Sequence, residues 1–245
     1  FIYRVHEEPD MDKVRELNKF LYNYGLKIKY SGDHVYPKEF AKVLEEIKGK
    51  EEEKVISTLI LRTLKLARYE DENKGHFGIA SKYYCHFTSP IRRYPDLFIH
   101  RIISKYLEEN YLIEQDEYNK YKEEAKDRSK KSSEREKVAT EVEREADKMK
   151  MAEYMEGKVG EEYDGIVSSI AQFGMFVELE NTVEGLIRFE DLGDEYFIYD
   201  EERKRLIGEI TKTEYKIGDK VKIRVKRASK ILREIDFELV KEDMN

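Results

Sequence analysis

The stretch from His86 to Arg101 reads HFTSPIRRYPDLFIHR, and the rest of the chain is interpreted from it. Its Thr88–Pro90 segment is a helix-start signal, because a hydroxyl can cap free amide groups and proline tolerates the first helical position. Arg92 and Arg93 then fall in the predicted first turn, where unpaired N–H groups and the helix dipole favour an anion. Arginine presents a planar set of donors that suits phosphate. The stretch therefore predicts a helix start that binds phosphate.

The same residues also have a less specific interpretation. An arginine in the first turn of a helix opposes the dipole, so Arg92 and Arg93 taken singly are better explained as solvated surface charges. Pro95 is expected to kink or restart the helix, because it lacks an N–H and disfavours helical geometry before it. Ile91 and Phe98 are predicted to lie on a buried stripe.

Composition places limits on the class of protein. The chain has 245 residues, of which 40% are hydrophobic and 40% charged, so it is highly charged but can still form a core. No apolar run approaches the ~18 residues that a membrane span needs. The single cysteine excludes a disulfide framework or a cysteine-built zinc site and favours a cytoplasmic protein. The net charge of −7 argues against a uniformly basic nucleic-acid binder but is compatible with a local basic path.

The first half of the chain predicts short strands and several helices. Alternating residues predict a strand over residues 1–8, and helical spacing predicts helices over 14–24, from Pro37 to Gly49, and over 52–68. A strand is predicted over residues 75–80. Two further helices are expected between residues 116 and 156, divided near Ser132 or Ser133, with Val138 and Val142 on the buried face of the second.

The periodicity changes near Gly157, where apolar and polar residues begin to alternate and glycines mark turns. Short strands at this spacing predict a small β-barrel. Its five strands are expected over 162–170, 174–180, 183–188, 220–228 and 234–239. The charged and aromatic insert from 194 to 215 is predicted to be loop and helical turn. The fold class is therefore α+β, with a helix-rich part over residues 1–156 and an all-β barrel over 157–245.

Three segments resemble the RNB family of exoribonucleases, of the ribonuclease II and ribonuclease R type. They are the stretch 86–101, the preceding segment FIYRVHEEP at residues 1–9, and the helix that begins with SSEREK at residues 132–137. The resemblance implies that Arg92 is the catalytic arginine, which contacts the scissile phosphate. It assigns supporting positions in the active site to Ser89, Arg93, Tyr94 and Glu143. For Glu143, an exposed helical glutamate is the alternative.

The barrel resembles the S1 RNA-binding domain, which has an OB fold. The resemblance is carried by YDGIV at 163–167, FGMFV at 173–177, EGLI at 184–187 and GDKV at 218–221. It implies RNA binding by Phe173, Phe176 and Arg188, because aromatic faces stack on unpaired bases and cations follow the backbone. Arg188 stands where the family usually has a histidine. Lys222 and Arg224 alternate on one strand and are a candidate basic stripe, with a solvated edge as the alternative.

The family resemblance implies a processive 3′-to-5′ exoribonuclease that hydrolyses single-stranded RNA to nucleoside monophosphates. It also implies Mg²⁺ held by aspartates that lie upstream of the segment resembling residues 1–9, so no metal ligand is expected in this chain. The chain begins with Phe1 rather than Met, and we expect it to be a piece of a longer protein that is inactive alone. A noncatalytic RNA-binding protein on an RNB-like scaffold is the alternative. We expect a monomer with no membrane partner.

Overall fold

A computed structural model describes residues 1–50, 52–193, 195–201 and 203–240. The chain divides into two compact units, one formed by Phe1–Lys48 with Thr58–Thr140 and the other by Gly49–Ser57 with the chain from Glu141 onward. The first unit is mainly helical, and the second is built on a closed β-barrel. The predicted α+β class is confirmed.

Two amphipathic helices of the first unit form as their sequences predict. Helix α1 spans Met11–Tyr22, and the Asp10 side chain caps it by accepting a hydrogen bond from the N–H of Asp12. Helix α2 spans Pro37–Ile47 and begins with proline, whose missing N–H costs nothing in the first turn. Each helix buries one apolar face, formed by Val14, Leu17 and Leu21 in α1 and by Phe40, Val43 and Ile47 in α2.

The strands of this unit are short. Strand β1, Tyr3–Val5, pairs antiparallel with β4, Arg68–Glu70, while β2, Tyr30–Ser31, pairs with β3, His34–Val35. The strand predicted over residues 1–8 therefore exists but is shorter. The strand predicted over 75–80 is wrong, because Phe77–Ile79 form a 3₁₀ turn.

The third helix, α3, spans Glu53–Thr63 and ends five residues before the predicted end at 68. The chain must leave the helix early because β4 needs extended backbone to pair with β1. Leu66 is consequently 85% exposed. Helix α4 follows over Tyr94–Glu108, and helix α5 over Gln115–Glu156.

Helix α5 is continuous, so the predicted division near Ser132 is wrong. The Ser133 hydroxyl does not cap a helix; it accepts a hydrogen bond from the N–H of Tyr69 at 2.9 Å and donates one to the Tyr69 carbonyl at 3.2 Å. The predicted buried face is also wrong, since Val138 and Val142 are exposed. The buried residues of α5 lie nearer its two ends and include Ala125, Ser129, Ala152 and Met155.

The second unit contains the predicted barrel. Its strands are β5 (Glu162–Ala171), β6 (Gly174–Leu179), β7 (Glu184–Arg188), β11 (Lys220–Ser229) and β12 (Glu234–Leu239), joined in the closed order β11-β12-β7-β6-β5. The pairs are antiparallel except for β12 with β7, which is parallel. Alternation directs one face of each strand inward, and the core includes Val167, Met175, Val177, Ile187, Ile223 and Phe237.

The insert between β7 and β11 differs from its prediction. Three strands, β8 (Phe197–Asp200), β9 (Arg205–Gly208) and β10 (Glu214–Lys216), form an antiparallel sheet where loop and helical turn were expected. Phe197 and Leu206 are buried in the barrel core cluster, and this apolar contact accounts for the extended structure. Asp194, the first residue of the predicted insert, and residues 241–245 of the predicted barrel domain lie outside the described residues.

Candidate functional site

The turn before α4 determines how the two neighbouring arginines are presented. Helix α4 begins at Tyr94, so the helix start predicted at Thr88–Pro90 is wrong. Of the two effects predicted for Pro95, a kink is not observed, and Pro95 lies in the first turn of a helix that starts beside it. The segment from Ser89 to Arg93 is a turn. The carbonyl of Ser89 accepts hydrogen bonds from the N–H of Arg92 at 3.3 Å and from the N–H of Arg93 at 3.0 Å. Arg93 has extended backbone dihedral angles and forms the N-cap. The arginines therefore precede the first helical turn.

Asp96 fixes this turn from inside the protein. Its side chain is fully buried, and Oδ2 accepts hydrogen bonds from the N–H of Ser89 at 2.8 Å and from Nε and Nη2 of Arg93 at 3.1 and 2.7 Å. Burial alone would raise the pKa of Asp96, but these donors outweigh it and hold the pKa below its usual value. Arg93 is therefore committed to a structural ion pair.

Arg92, unlike Arg93, is not held by an ion pair among the described residues. Its side chain is exposed, and among the described residues no carboxylate pairs with its guanidinium. It lines a cleft of about 530 Å³ in the first unit. The residues around this Arg92 cleft are Tyr69, Arg92, Arg93, Tyr94, Pro95, Arg128, Lys131, Ser132, Arg135, Glu136 and Ala139.

The charge of the Arg92 cleft is strongly positive. Among the described residues that line it, five are basic and Glu136 alone is acidic. The Glu136 carboxylate is already bound by Nη1 of Arg4 at 2.6 Å, and the Arg4 guanidinium lies 4.7 Å from the centre of the Tyr69 ring. In a chain of net charge −7, this local excess of positive charge favours an anionic ligand.

His86, the first residue of the stretch 86–101, packs against Tyr69, which lines the cleft. The hydroxyl of Tyr69 lies 2.9 Å from Nδ1 of His86, within hydrogen-bonding distance. Burial, together with the nearby charges of Arg93 and Arg4, lowers the pKa of His86 to about 4. His86 is therefore neutral near pH 7 and adds no charge to the site.

The other predicted residues of this site are placed as follows. Ser89 acts through its backbone in the turn, and Tyr94 lines the cleft with the Arg128 guanidinium 5.6 Å from its ring centre. Glu143 is exposed on α5 and belongs to the second unit. Its supporting role stays a prediction. Ile91, expected to be buried, is fully exposed, whereas Phe98 is buried as predicted.

Sequence reasoning missed Tyr69, Arg128, Lys131 and Arg135. The last three lie on α5, and the apolar periodicity of that helix does not reveal them. Their spacing of three and four residues places them on one face of a helix, and this was the signal that could have identified them.

A second candidate site lies on the barrel. Phe173, in the loop between β5 and β6, is 54% exposed, and its ring packs edge-on against Phe176 with 6.1 Å between centroids. Phe176 is half-buried and lines a groove of about 530 Å³ together with Leu186, Arg188 and Lys148. The Phe173 ring therefore faces outward, and the RNA-binding roles of Phe173 and Phe176 stay predictions.

The candidate basic stripe on β11 is largely compensated by carboxylates. Glu162 binds Lys222 at 3.1 Å and Arg224 at 2.7 Å, and Glu238 binds Arg224 at 3.1 Å. Nη2 of Arg188 lies 3.6 Å from Asp236. These contacts favour the alternative of a solvated edge for β11, and the RNA-binding roles of Lys222, Arg224 and Arg188 stay predictions.

The described residues contain neither a metal-binding cluster nor a membrane-spanning helix. In the part of the chain that the structure describes, no three His, Cys, Asp or Glu side chains are grouped closely enough to hold a metal ion. None of the described helices combines the length and apolar character that a membrane crossing requires.

Comparison with known proteins identifies both halves of the chain. The RNB domain model matches residues 1–109, and the S1 RNA binding domain model matches residues 156–239. Ribonuclease R 1 of Lactococcus lactis is 43% identical over 100% of this chain, and ribonuclease R of Thermotoga maritima is 41% identical over 99%. The chain covers 30% and 34% of the lengths of these two relatives. The apo structure of Mycoplasma genitalium RNase R superimposes with a TM-score of 0.88 and 30% identity, covering 98% of this chain and 38% of that one.

The fold and the two matches thus define a protein with an RNB-type part followed by an S1-type barrel. Residues 1–109 belong to the RNB domain family and residues 156–239 to the S1 domain family, and the whole chain is similar in sequence to ribonuclease R.

We predict that Asp96→Ala destabilises the first unit by roughly 3 kcal/mol, because it leaves the Arg93 guanidinium and the Ser89 N–H without their buried acceptor. Urea unfolding followed by circular dichroism measures the change. Glu108→Ala, an exposed carboxylate on the same helix, is the control and should change stability by less than about 0.5 kcal/mol. Equal stabilities of the two variants would contradict the anchoring role of Asp96.

The lowered pKa of His86 predicts a specific pH dependence of stability. The native pKa of about 4 lies below the ordinary value of 6.5, so between these pH values the unfolded chain binds the proton and the native protein does not. The free energy of unfolding should therefore fall as the pH decreases from 6.5 to 4. His86→Gln should make this decline shallower, as measured by urea unfolding at half-unit pH steps. An identical slope in the variant and the wild type is the contrary result.

Proposed function

We propose that this chain is part of a longer, processive 3′-to-5′ exoribonuclease that hydrolyses single-stranded RNA to nucleoside monophosphates. The observation that carries the proposal is the Arg92 cleft, where four other basic side chains and one already paired carboxylate surround Arg92, which has no ion-pair partner among the described residues. Homology to ribonuclease R over the whole chain supports the same reaction.

In this proposal Arg92 contacts the phosphate at the scissile bond. Phosphodiester hydrolysis places additional negative charge on the phosphoryl oxygens in the transition state, and a preorganised guanidinium stabilises that charge. The Asp96 anchor holds the turn in place and uses the donors of Arg93, so the donors of Arg92 remain available. Arg93, Ser89 and Tyr94 shape the site, and Glu143 is a supporting residue near the RNA end.

The barrel binds the single strand in this proposal, and we place the boundary between the catalytic and RNA-binding parts at residue 157. Phe173 offers an exposed ring, and Phe176 and Arg188 border a groove. Stacking of a base on an aromatic side chain contributes about 1–3 kcal/mol and tolerates any sequence. Such a surface suits an enzyme that acts on RNA of many sequences.

Mg²⁺ is the expected metal of the whole enzyme, because carboxylate-held Mg²⁺ commonly activates water and stabilises the leaving group. The described residues do not fit such a site, since they contain no cluster of metal-ligating side chains. No step proposed for this chain passes through a metal. What its own residues supply is charge stabilisation at the phosphate and binding of the strand.

Phe173→Ala should weaken binding of single-stranded RNA to this chain by about 5- to 100-fold, the equivalent of one lost stacking interaction. Fluorescence anisotropy with a labelled 12-nucleotide RNA measures the dissociation constant. Tyr196→Ala removes an aromatic ring of similar exposure elsewhere in the same unit and should leave the affinity unchanged. Equal affinities for the two variants would show that Phe173 does not contact RNA.

Arg92→Ala, made in the longer protein that contains this chain, should lower kcat by about 10²–10³-fold, the cost of removing one transition-state donor. RNA affinity should stay within a few-fold of the wild type, because many other contacts hold the strand. Single-turnover degradation of 5′-labelled RNA measures the rate, and Arg62→Ala on the exposed face of α3 is the control. A wild-type rate in the Arg92 variant would remove this residue from the mechanism.

A further inference from the structure

Helix α5 forms a wall of the Arg92 cleft with a row of cations. Arg128, Lys131 and Arg135 all line the cleft, and their spacing places them on one face of the helix. With a rise of 1.5 Å per residue, the row is about 10 Å long. The cleft therefore has positive charge on α5 as well as on the turn that carries Arg92.

The three cations of the row differ in how their charges are compensated. Lys131 is paired with Asp127 at 2.9 Å, one helical turn away. For Arg128 and Arg135, no carboxylate partner occurs in the part of the chain that the structure describes. The row therefore holds two guanidiniums that a ligand could pair with.

Arg128 is partly withdrawn from solvent, which makes its unpaired state informative. The face of the Tyr94 ring orients its guanidinium, with 5.6 Å between Cζ and the ring centre. Its Nε atom is buried and has no hydrogen-bond partner among the described residues. A buried donor without an acceptor is costly, so an anion bound in the cleft would relieve that cost.

We propose that Arg128 and Arg135 bind backbone phosphates of single-stranded RNA that neighbour the phosphate held by Arg92. The inference rests on the proposed function and extends it to a row of residues on a different element. Planar guanidiniums match the geometry of phosphate oxygens, with which they form paired, charge-assisted hydrogen bonds. By holding the neighbouring phosphates, the row fixes which phosphate of the strand lies at Arg92. Arg128 and Arg135 are thus positioning residues.

The test uses the salt dependence of RNA binding by this chain. The probe is a 5′-fluorescein-labelled 12-nucleotide uridine RNA, titrated at several KCl concentrations. Arg135→Glu should weaken binding about tenfold at 0.1 M KCl and make the slope of log K against log[salt] shallower by about 0.7, the value for one lost phosphate contact on a single strand. Lys137→Glu is the matched control, because it reverses one charge on an exposed position of the same helix and lies outside the cleft.

The outcomes separate this inference from the proposed function. The phosphate row is supported if Arg135→Glu lowers the RNA affinity and makes the slope of log K against log[salt] shallower, while Lys137→Glu behaves like the wild type. If the two charge reversals behave alike while Phe173→Ala still weakens binding, the row is wrong and the RNA-binding function stands. If the wild-type chain binds no RNA, both proposals fall. Circular dichroism melts of Arg135→Glu and Lys137→Glu should coincide, since both positions are exposed.

Discussion

The buried carboxylate of Asp96 is the contact on which the candidate active site depends. It neutralises Arg93 and binds the N–H of Ser89, so one interaction fixes both ends of the turn between them. Two consecutive arginines thereby acquire different roles, one structural and one exposed to the cleft. A buried ion pair of this kind contributes little net stability by itself, but removal of one partner is costly, and the turn is therefore held rigidly.

The two halves of the chain offer complementary chemistry. The first unit has a cleft with an excess of guanidinium groups, which suits the phosphate backbone and carries no sequence information. The barrel presents the aromatic pair Phe173 and Phe176, while Lys222 and Arg224 of β11 are paired with Glu162 and Glu238. In the proposed function, the barrel therefore binds RNA mainly by stacking of bases on aromatic rings. The cleft binds it mainly by ion pairing with phosphates.

The sequence predicted the barrel well because strand alternation and glycine turns are local signals. It failed where distant contacts decide the conformation. Pro90 and Pro95 are both acceptable at a helix start, and the buried position of Asp96 selects the second. The sheet in the insert depends on burial of Phe197 and Leu206, which no local pattern reveals.

The sequence also missed part of the candidate site. The cations of α5 form part of the Arg92 cleft only once the helix is continuous and packed beside α4. The RNB resemblance predicts Arg92 as the catalytic arginine, which stays a prediction, and the structure adds the basic cleft that Arg92 lines.

The most direct test of the account is to observe the arginine side chains themselves during binding. In ¹⁵N spectra of the arginine Nε–Hε groups, addition of a short single-stranded RNA should shift the Arg92 signal, whereas the signal of the exposed Arg62 on α3 should not move. A saturating titration in which barrel signals shift and the Arg92 signal stays in place would contradict the claim that this guanidinium contacts an RNA phosphate.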